Sequence, residues 1–214
     1  MKRNRSLNRV LPFLGGLCLV TDRKFCGLSC EELSRIALEA GVRWIQYREK
    51  EKTRREIYYE ARKLRSLTSE YGATLVVNDH ADIALAVDAD GVHLGQDDLP
   101  LKEARRIVGR RLIGISTHTL TQAKEAEQDG ADYIGFGPVF FTATKDAGEP
   151  RGVEMLSLIR ESVEIPVVAI GGISAETFSL VWEAGADAVA VASAVLRGNI
   201  SENVRLFMRV LGNE

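Results

Sequence analysis

The sequence lacks a long uninterrupted hydrophobic run and contains few cysteines. Its 214 residues include 3 cysteines, namely Cys18, Cys26 and Cys30. This odd, clustered set has no Cys-x-x-Cys pair and no matching distant ligands, so we expect reduced thiols rather than disulfides or a zinc site. The apolar stretch at residues 10–20 is interrupted by proline and glycine, which excludes a membrane-spanning helix there. We expect a cytoplasmic protein without a signal peptide.

An excess of either charge is also missing. Lys and Arg number 28 and Asp and Glu 30, which leaves a formal net charge of −2. Nucleic-acid-binding domains typically carry a clear basic excess, so the composition predicts neither a nucleic-acid partner nor an anionic membrane surface. Small-molecule substrates are favoured by elimination. The oligomeric state is left open, with a homo-oligomer as one possibility.

Short apolar runs rich in Val, Ile and Leu alternate with amphipathic stretches along the chain. Eight runs are candidate strands: residues 17–21, 44–47, 74–78, 91–94, 112–116, 133–136, 167–170 and 188–191. This alternation is typical of βα units around a fully covered parallel sheet. Eight units of about 25 residues predict an α/β fold, a single-domain (β/α)8 TIM barrel at residues 17–214, after a basic tail at residues 1–16. A doubly wound open sheet is the alternative, but the glycine-rich fingerprint usual after its first strand is absent here.

Start and stop signals mark several helices. Ser29, followed three residues later by Glu32, predicts a capping box for a helix at residues 30–40. Ser174 predicts another helix start. Three glycines follow amphipathic stretches and predict left-handed helix ends: Gly41, Gly130 and Gly185.

Polar or small residues recur where the predicted strands end. They are Gln46 to Lys50, Asn78 and Asp79, Asp98, Ser116, Thr142 to Lys145, Gly171 and Gly172, and Ser193. In a parallel barrel the carboxyl ends of all strands converge on one mouth, where active sites lie. The recurrence therefore predicts an active site at that end.

Arg48 and Lys50, hereafter the cation pair, are separated by one residue. On an extended segment both side chains therefore point to the same side. A planar guanidinium and a compact ammonium together suit a diphosphate. The alternative is a solvated strand end with ordinary surface charges.

Asp79 and Asp98, hereafter the acid pair, follow sequential strands and should be neighbours in space. Two converging carboxylates repel unless they are protonated, paired with cations or bridged by a metal. Hard oxygen ligands of this kind favour Mg²⁺. Helix capping by each aspartate is the alternative.

Gly171 and Gly172 follow the seventh strand, and Ala192 and Ser193 follow the eighth. In barrels the loops after these strands, with the N-terminus of a short helix, commonly bind phosphate through backbone N–H groups. A plain turn is the alternative for the two glycines.

The connection after the sixth strand and one histidine complete the candidate set. Thr142, Thr144 and Lys145 place hydroxyls and an ammonium on a long loop, which suits a lid over anions or else a solvated excursion. His118 could act as a general base, or it could be a surface histidine at a helix entry.

The order of these phrases resembles the thiamine phosphate synthase family over residues 17–210. The resemblance rests on Gln46-Tyr47-Arg48-Glu49-Lys50, Val77-Asn78-Asp79, Val92-His93-Leu94-Gly95-Gln96-Asp97-Asp98, Gly114-Ile115-Ser116-Thr117-His118-Thr119, Gly135-Phe136-Gly137-Pro138-Val139-Phe140, Thr142-Ala143-Thr144-Lys145 and Gly171-Gly172-Ile173. It implies an enzyme that joins 4-amino-5-hydroxymethyl-2-methylpyrimidine diphosphate to 4-methyl-5-(2-phosphoethyl)thiazole, or to its carboxylate. The products would be thiamine phosphate and diphosphate, formed by a dissociative, Mg²⁺-assisted mechanism.

The resemblance also implies roles for individual residues. Contacts to the pyrimidine diphosphate would come from Gln46, Tyr47, Arg48, Glu49, Lys50, Asn78, Ser116 and Lys145. Asp79 and Asp98 would bind Mg²⁺. Thr142, Ala143, Thr144, Gly172, Ala192 and Ser193 would hold the thiazole phosphate. Ser116, Arg48 and Lys145 would be catalytic because they stabilise the leaving diphosphate.

Two other functions stay open. One is a thiazole tautomerase of the same superfamily, with His118 as the base; that group lacks the full cation pair and acid pair. The other is a non-catalytic phosphate-binding barrel, for which we would expect a degraded metal site. Both carboxylates are intact here.

Overall fold

Eight parallel strands close into a barrel in this computed structural model, which describes residues 16–142 and 148–212. The strands are β1 Leu17–Val20, β2 Trp44–Tyr47, β3 Thr74–Asn78, β4 Gly91–Leu94, β5 Leu112–Thr117, β6 Tyr133–Phe136, β7 Val167–Ile170 and β8 Ala188–Val191. Each pairs with the next along the chain, and β8 pairs with β1. The predicted (β/α)8 TIM barrel is confirmed, and the doubly wound sheet is excluded. The proposed tail at residues 1–16 lies outside the described residues except for Gly16, and the domain boundary stays a prediction.

Helices follow the strands and cover the outside of the barrel. In the described part of the chain they are α1 Cys30–Glu39, α2 Arg54–Glu70, α3 Ala81–Ala86, α4 Leu101–Val108, α5 Leu120–Gln128, α6 Gly152–Ser162, α7 Phe178–Glu183, α8 Ser193–Leu196 and α9 Ile200–Val210. The capping box at Ser29 and Glu32 is present. Gly41, Gly130 and Gly185 have φ values of 115°, 91° and 92°, so the predicted left-handed helix ends are confirmed.

The predicted helix start at Ser174 is wrong. The backbone N–H of Ser174 donates to Thr177 Oγ1 at 2.9 Å, and the Thr177 hydroxyl approaches the Ser174 carbonyl at 3.4 Å. This turn, closed by a side chain, occupies the place of the first helical turn, and α7 begins only at Phe178.

Buried apolar side chains form two separate clusters. One fills the space between the strands and the helices. The other lies inside the barrel and contains Cys18, Val20, Trp44, Val76, Tyr133, Val168, Ala188 and Ala190. Trp44 and Tyr133 meet edge to face there, with ring centroids 5.4 Å apart. Both residues begin their strands, so the interior is packed near the amino ends and is left open toward the carboxyl ends.

Three aspartates fasten helices to strands at the amino end of the barrel. They are Asp90, Asp132 and Asp187, which precede β4, β6 and β8. Each Oδ2 accepts the first or second N–H of the preceding strand at 2.8 Å, from Leu75, Ile113 and Val167 respectively. Each also pairs with a helix arginine, namely Arg65, Arg105 and Arg160, at 2.8, 2.6 and 3.5 Å. Charge-assisted bonds therefore join α2, α4 and α6 to the sheet.

Two further findings concern the cysteines and the hydrophobic segments. Cys18, Cys26 and Cys30 are free thiols. In the ranges that the structure describes, no helix combines the length and the apolar character needed to cross a membrane.

Candidate active site

A cavity of about 380 Å³ opens at the carboxyl end of the barrel. Of the residues expected to bind substrates or metal, the following line it: Gln46, Arg48, Lys50, Asn78, Asp79, Asp98, Ser116, Thr142, Gly172, Ala192 and Ser193. Ala143, Thr144 and Lys145 lie outside the described residues, so the structure does not place them. The strand ends thus bring most of the predicted set to one place.

Tyr47 and Glu49 are not brought to the cavity. The Tyr47 side chain points outward from the barrel, is buried, and donates its hydroxyl to Glu60 Oε2 at 2.7 Å. Glu49 Oε1 accepts the backbone N–H groups of Lys50 and Glu51, both at 2.9 Å. Both side chains support the loop, and the expected contact of Tyr47 and Glu49 with the pyrimidine diphosphate stays a prediction.

The acid pair is assembled as the strand order predicts. Lys50 Nζ lies 2.5 Å from Asp79 Oδ2, and Asp98 Oδ2 accepts the Gly95 N–H at 2.6 Å. The two carboxyl groups lie close enough for each to shift the pKa of the other. Neither caps a helix: α3 and α4 begin after His80 and Pro100, without a side-chain cap. The capping alternative is therefore wrong for both.

The pKa values of the two carboxyl groups are shifted in opposite directions. Burial alone would raise the pKa of Asp79, but the hydrogen bonds from Lys50 and Asp98 outweigh it and lower that pKa. Burial raises the pKa of Asp98, and the adjacent Asp79 raises it further. A cation between two such carboxyl groups would relieve their mutual repulsion.

Asp79 also has an unusual backbone conformation. Its φ is 66°, and its N–H donates to the His93 carbonyl at 2.8 Å. Residues other than glycine rarely adopt positive φ, although Asp and Asn tolerate it, and such strain is concentrated at functional sites. The conformation turns the chain sharply at the end of β3 and places the Asp79 carboxyl at the cavity wall.

A directed chain of amide hydrogen bonds leads from Asp79 to Gln46. Asn78 Nδ2 donates to Asp79 Oδ1, so Asn78 Oδ1 is the atom left to accept from Gln46 Nε2, at 2.6 Å. A carboxylate only accepts, which fixes the orientation of both amides. Gln46 Oε1 accepts a weak hydrogen bond from the Cys18 thiol at 4.0 Å, and its second lone pair can accept another donor beside the cavity.

The cation pair faces the same cavity. Arg48 Nη1 lies 3.8 Å from Asp22 Oδ2, and Lys50 contacts Asp79. The backbone of Arg48 is held by the residue that follows β1, since its N–H donates to Thr21 Oγ1 at 3.0 Å. This placement favours anion binding over a solvated strand end.

His93 and Tyr133 are site residues that the sequence patterns did not identify. His93 Nε2 lies 2.9 Å from Ser116 Oγ, and Nδ1 lies 3.1 Å from the Tyr133 hydroxyl. Burial lowers the pKa of His93 to about 4, so the ring is neutral at neutral pH and one nitrogen donates while the other accepts. Ser116 is thus held at the cavity by a buried hydrogen-bonded chain.

A glycine within β5 makes room for this chain. A Cβ on Gly114 would lie 2.1 Å from Tyr133 Cζ and 2.5 Å from His93 Nδ1. A glycine inside a strand often marks a place where another group approaches closely. It was the one signal in the sequence that could have indicated the buried pair.

The opposite wall is formed by backbone at the ends of β7 and β8. Gly171 and Gly172 have φ values of 97° and 66°. A Cβ on Gly172 would lie 2.3 Å from the Phe141 carbonyl oxygen, so a larger residue does not fit. Ser193 begins α8 beside them and lines the cavity. The residues of the predicted phosphate site at the ends of β7 and β8, Gly172, Ala192 and Ser193, therefore line the cavity together.

The acid pair fits a divalent cation only in combination with other ligands. Within residues 16–142 and 148–212, no group of three or more His, Cys, Asp or Glu side chains is arranged to hold a metal ion. Mg²⁺ is usually held by one or two carboxylates, waters and substrate phosphate oxygens, and does not need a complete protein cage. Asp79 and Asp98 match that donor set.

The family model of thiamine monophosphate synthase matches residues 17–195. The chain belongs to this family. A thiamine-phosphate synthase of Chloroflexus aurantiacus is 50% identical over 185 residues, which cover 84% of each protein. One from Dictyoglomus thermophilum is 44% identical over 91% of this chain and 93% of its own length. The relatives are transferases, so membership makes this chain a transferase as well.

Similarity extends to the solved structures. Thiamine phosphate pyrophosphorylase from Pyrococcus furiosus superposes with a TM-score of 0.88 at 42% sequence identity, covering 94% of this chain and 98% of that one. The family resemblance carried by the strand-end phrases is thereby confirmed, as is the barrel.

Proposed function

We propose that this chain is a thiamine phosphate synthase that joins 4-amino-5-hydroxymethyl-2-methylpyrimidine diphosphate to 4-methyl-5-(2-phosphoethyl)thiazole, or to its carboxylate. The observation that supports this most is one cavity with two different walls. The acid pair and the cation pair line one wall, and the loops of Gly172 and Ser193 line the other. A diphosphate and a separate monophosphate are the two anionic groups of these substrates.

The reaction exchanges one bond for another. The bond between the pyrimidinylmethyl carbon and the diphosphate oxygen breaks, and the diphosphate leaves with the electron pair. The amino-substituted ring stabilises the resulting cation, and the lone pair of the thiazole nitrogen then forms the new C–N bond. No side-chain nucleophile is needed, so the protein acts by positioning and by stabilising charge.

Six residues that line the cavity have specific roles in this scheme. Arg48 and Lys50 stabilise negative charge on the departing diphosphate, and the Ser116 hydroxyl, held by His93, donates to it. Gln46 presents Oε1, which suits the amino group of the pyrimidine. Asp79 and Asp98 would hold Mg²⁺, which when bound neutralises diphosphate charge. The roles of Ala143, Thr144 and Lys145 stay predictions.

The test is product formation by the purified chain. The two substrates are mixed with and without Mg²⁺, and thiamine phosphate and diphosphate are quantified together. We expect both products in equal amounts with Mg²⁺ and neither after chelation. No thiamine phosphate in the presence of Mg²⁺ would overturn the proposal.

A thiazole tautomerase is the second candidate, because of one hydrogen bond. His118 lines the cavity, and its Nδ1 lies 2.7 Å from the Gly137 carbonyl oxygen. Since a carbonyl only accepts, Nδ1 carries the proton, and Nε2 of the neutral ring is free to act as a base. Tautomerase activity that survives chelation and disappears in His118→Ala would favour this function; its absence in wild type would exclude it.

A further inference from the structure

We propose that Glu49 is a positioning residue that fixes the backbone conformation of Lys50, and that Lys52 and Glu60 hold Glu49 from outside the barrel. This inference rests on the proposed function, because it concerns the diphosphate wall of the same cavity. It gives Glu49 a role different from direct substrate contact.

Glu49 satisfies backbone groups that lie outside any strand or helix. The loop at residues 48–53 joins β2 to α2. Within it, Glu49 Oε1 accepts the N–H groups of Lys50 and Glu51 at 2.9 Å each. Backbone N–H donors outside a strand or helix must hydrogen-bond to a side chain or to water. Here one carboxylate oxygen accepts two of them and so fixes two successive peptide groups. The direction in which the Lys50 side chain leaves the loop depends on that geometry.

The carboxylate of Glu49 is itself held by a series of contacts. Lys52 Nζ lies 4.0 Å from Glu49 Oε2 and hydrogen-bonds to Glu60, which in turn accepts the Tyr47 hydroxyl at 2.7 Å. The Glu49 side chain is only 11% exposed. Tyr47 ends β2 and Glu60 lies in α2, so the series is anchored on two rigid elements. Partly buried charged groups of this kind stabilise a conformation only when every partner is present.

The two members of the cation pair are held by different devices. Thr21, the residue after β1, holds Arg48: its Oγ1 accepts the Arg48 N–H at 3.0 Å and donates to the Arg48 carbonyl at 3.3 Å. Glu49 holds Lys50 from the outer side of the loop. Loss of Glu49 should therefore displace Lys50, whose Nζ contacts Asp79, and leave Arg48 in place.

For Glu49, charge favours positioning over direct contact with the diphosphate. A carboxylate beside a diphosphate would repel it, and both Glu49 oxygens are directed at loop N–H groups and Lys52. A displacement of a charged group by about 1 Å can cost 10²-fold in rate, so positioning alone accounts for a large effect.

The test uses inorganic diphosphate with Mg²⁺ as the probe, bound to the full-length chain and measured by calorimetry. We expect Glu49→Ala to weaken diphosphate binding roughly tenfold, a factor that corresponds to about 1.4 kcal/mol. Glu49→Gln retains an oxygen that can accept both N–H groups and should stay within about threefold of wild type. In the coupled reaction, Glu49→Ala should raise KM for the pyrimidine diphosphate and leave KM for the thiazole phosphate unchanged.

Glu51→Ala is the matched control. It removes the same charge from the same loop, but Glu51 is exposed and pairs only at the surface with Lys24. Equal diphosphate affinity in wild type and Glu49→Ala, or equal losses in Glu49→Ala, Glu49→Gln and Glu51→Ala, would overturn the positioning role. A wild-type chain that binds diphosphate but forms no thiamine phosphate would overturn the proposed reaction alone, and one that binds no diphosphate would overturn both.

Discussion

The two ends of this barrel use aspartate in opposite ways. At the amino end, Asp187 accepts a strand N–H and pairs with Arg160, whose side chain is 8% exposed. At the carboxyl end, Asp79 and Asp98 face each other, and Asp79 has a left-handed backbone. The first arrangement satisfies the carboxylate within the protein. The second places two carboxyl groups against each other at a cavity wall, as a site for a cation and its anionic ligand requires.

The difference indicates that the amino end of the barrel stabilises the fold and that the carboxyl end carries the candidate active site. Helices are joined to the sheet at the amino end, where the interior is packed by Trp44 and Tyr133. Repulsion between carboxyl groups occurs at the carboxyl end, beside the cavity. Among the described residues other than glycine, positive φ is found at Asp79 there and at Asp88 at the amino end. In such barrels the loops at the carboxyl end vary in chemistry and the opposite end maintains the fold.

The largest effect is expected for Asp79→Asn, which tests whether the carboxyl-end aspartates serve function and not stability. Asparagine tolerates positive φ, so the backbone is retained while a metal ligand is lost. We expect kcat/KM to fall about 10²–10³-fold, as when one preorganised charge-stabilising group is removed, with no loss of thermal stability. Steady-state kinetics and thermal unfolding measure the two effects.

Asp88→Asn is the control for that experiment. Asp88 also has positive φ, 56°, but it lies at the amino end and pairs with Arg111. Normal kinetics are expected. A similar loss of rate in both variants would mean that the effect comes from replacing an aspartate at positive φ, and not from the acid pair.

Asp187→Ala should show the opposite behaviour. It leaves Arg160 buried without its partner, and breaking a buried pair costs about 3 kcal/mol or more. For a chain of this length, that loss lowers Tm by roughly 6–12 °C, while kcat per folded molecule is retained. Thermal unfolding checks this against Asp129→Ala, which removes an exposed pair with Lys102 and should change little. Equal Tm values in the two variants would refute the structural role.

The pH dependence of stability tests the buried histidine between the two ends. Because the folded-state pKa of His93 is about 4 and its ordinary value is 6.5, the unfolded chain binds more protons in that range. Stability is thus complete above pH 6.5 and falls as the pH drops toward 4, by about 2 kcal/mol between pH 6.5 and 5. Urea unfolding at both pH values should show this loss in wild type and His80→Gln but not in His93→Gln. Parallel losses in all three would assign the effect elsewhere.

The smallest expected effect concerns the more exposed pairs at the amino end. The side chains of Arg65 and Arg105, which pair with Asp90 and Asp132, are 27% and 31% exposed. Solvent screens such pairs, so Asp90→Ala and Asp132→Ala should each cost about 1 kcal/mol, mainly through the strand N–H left without an acceptor. Denaturation that ranks either variant below Asp187→Ala in stability would contradict the order.

Much of the fold could be predicted because local signals agree with the global one. The strands at residues 44–47 and 74–78 were predicted with their observed bounds. Apolar runs identify such strands, and glycines such as Gly41 and Gly130 end the helices before them. The helix start at Ser174 could not be predicted, since Ser and Thr equally favour a turn closed by a side chain.

The site could be predicted as a set of strand ends but not as a set of contacts. Strand order predicted that Asp79 and Asp98 meet. It could not show that Tyr47 points outward or that His93 reaches Ser116, because both depend on which face of each strand lies inside the barrel. The aspartates at the amino end recur in the sequence as Ala-Asp at residues 89–90, 131–132 and 186–187. The physical reason for this pattern is the strand N–H that each aspartate accepts, which only the structure shows.

The most direct measurement is binding of Mn²⁺, as a substitute for Mg²⁺, by electron paramagnetic resonance in the presence of diphosphate. Manganese prefers the same oxygen ligands. We expect wild type to bind the ion tightly together with diphosphate, and the Asp79→Asn, Asp98→Asn double variant to lose that binding while Asp187→Asn retains it. Unchanged binding in the double variant would contradict the assignment of the carboxyl-end acid pair to the metal.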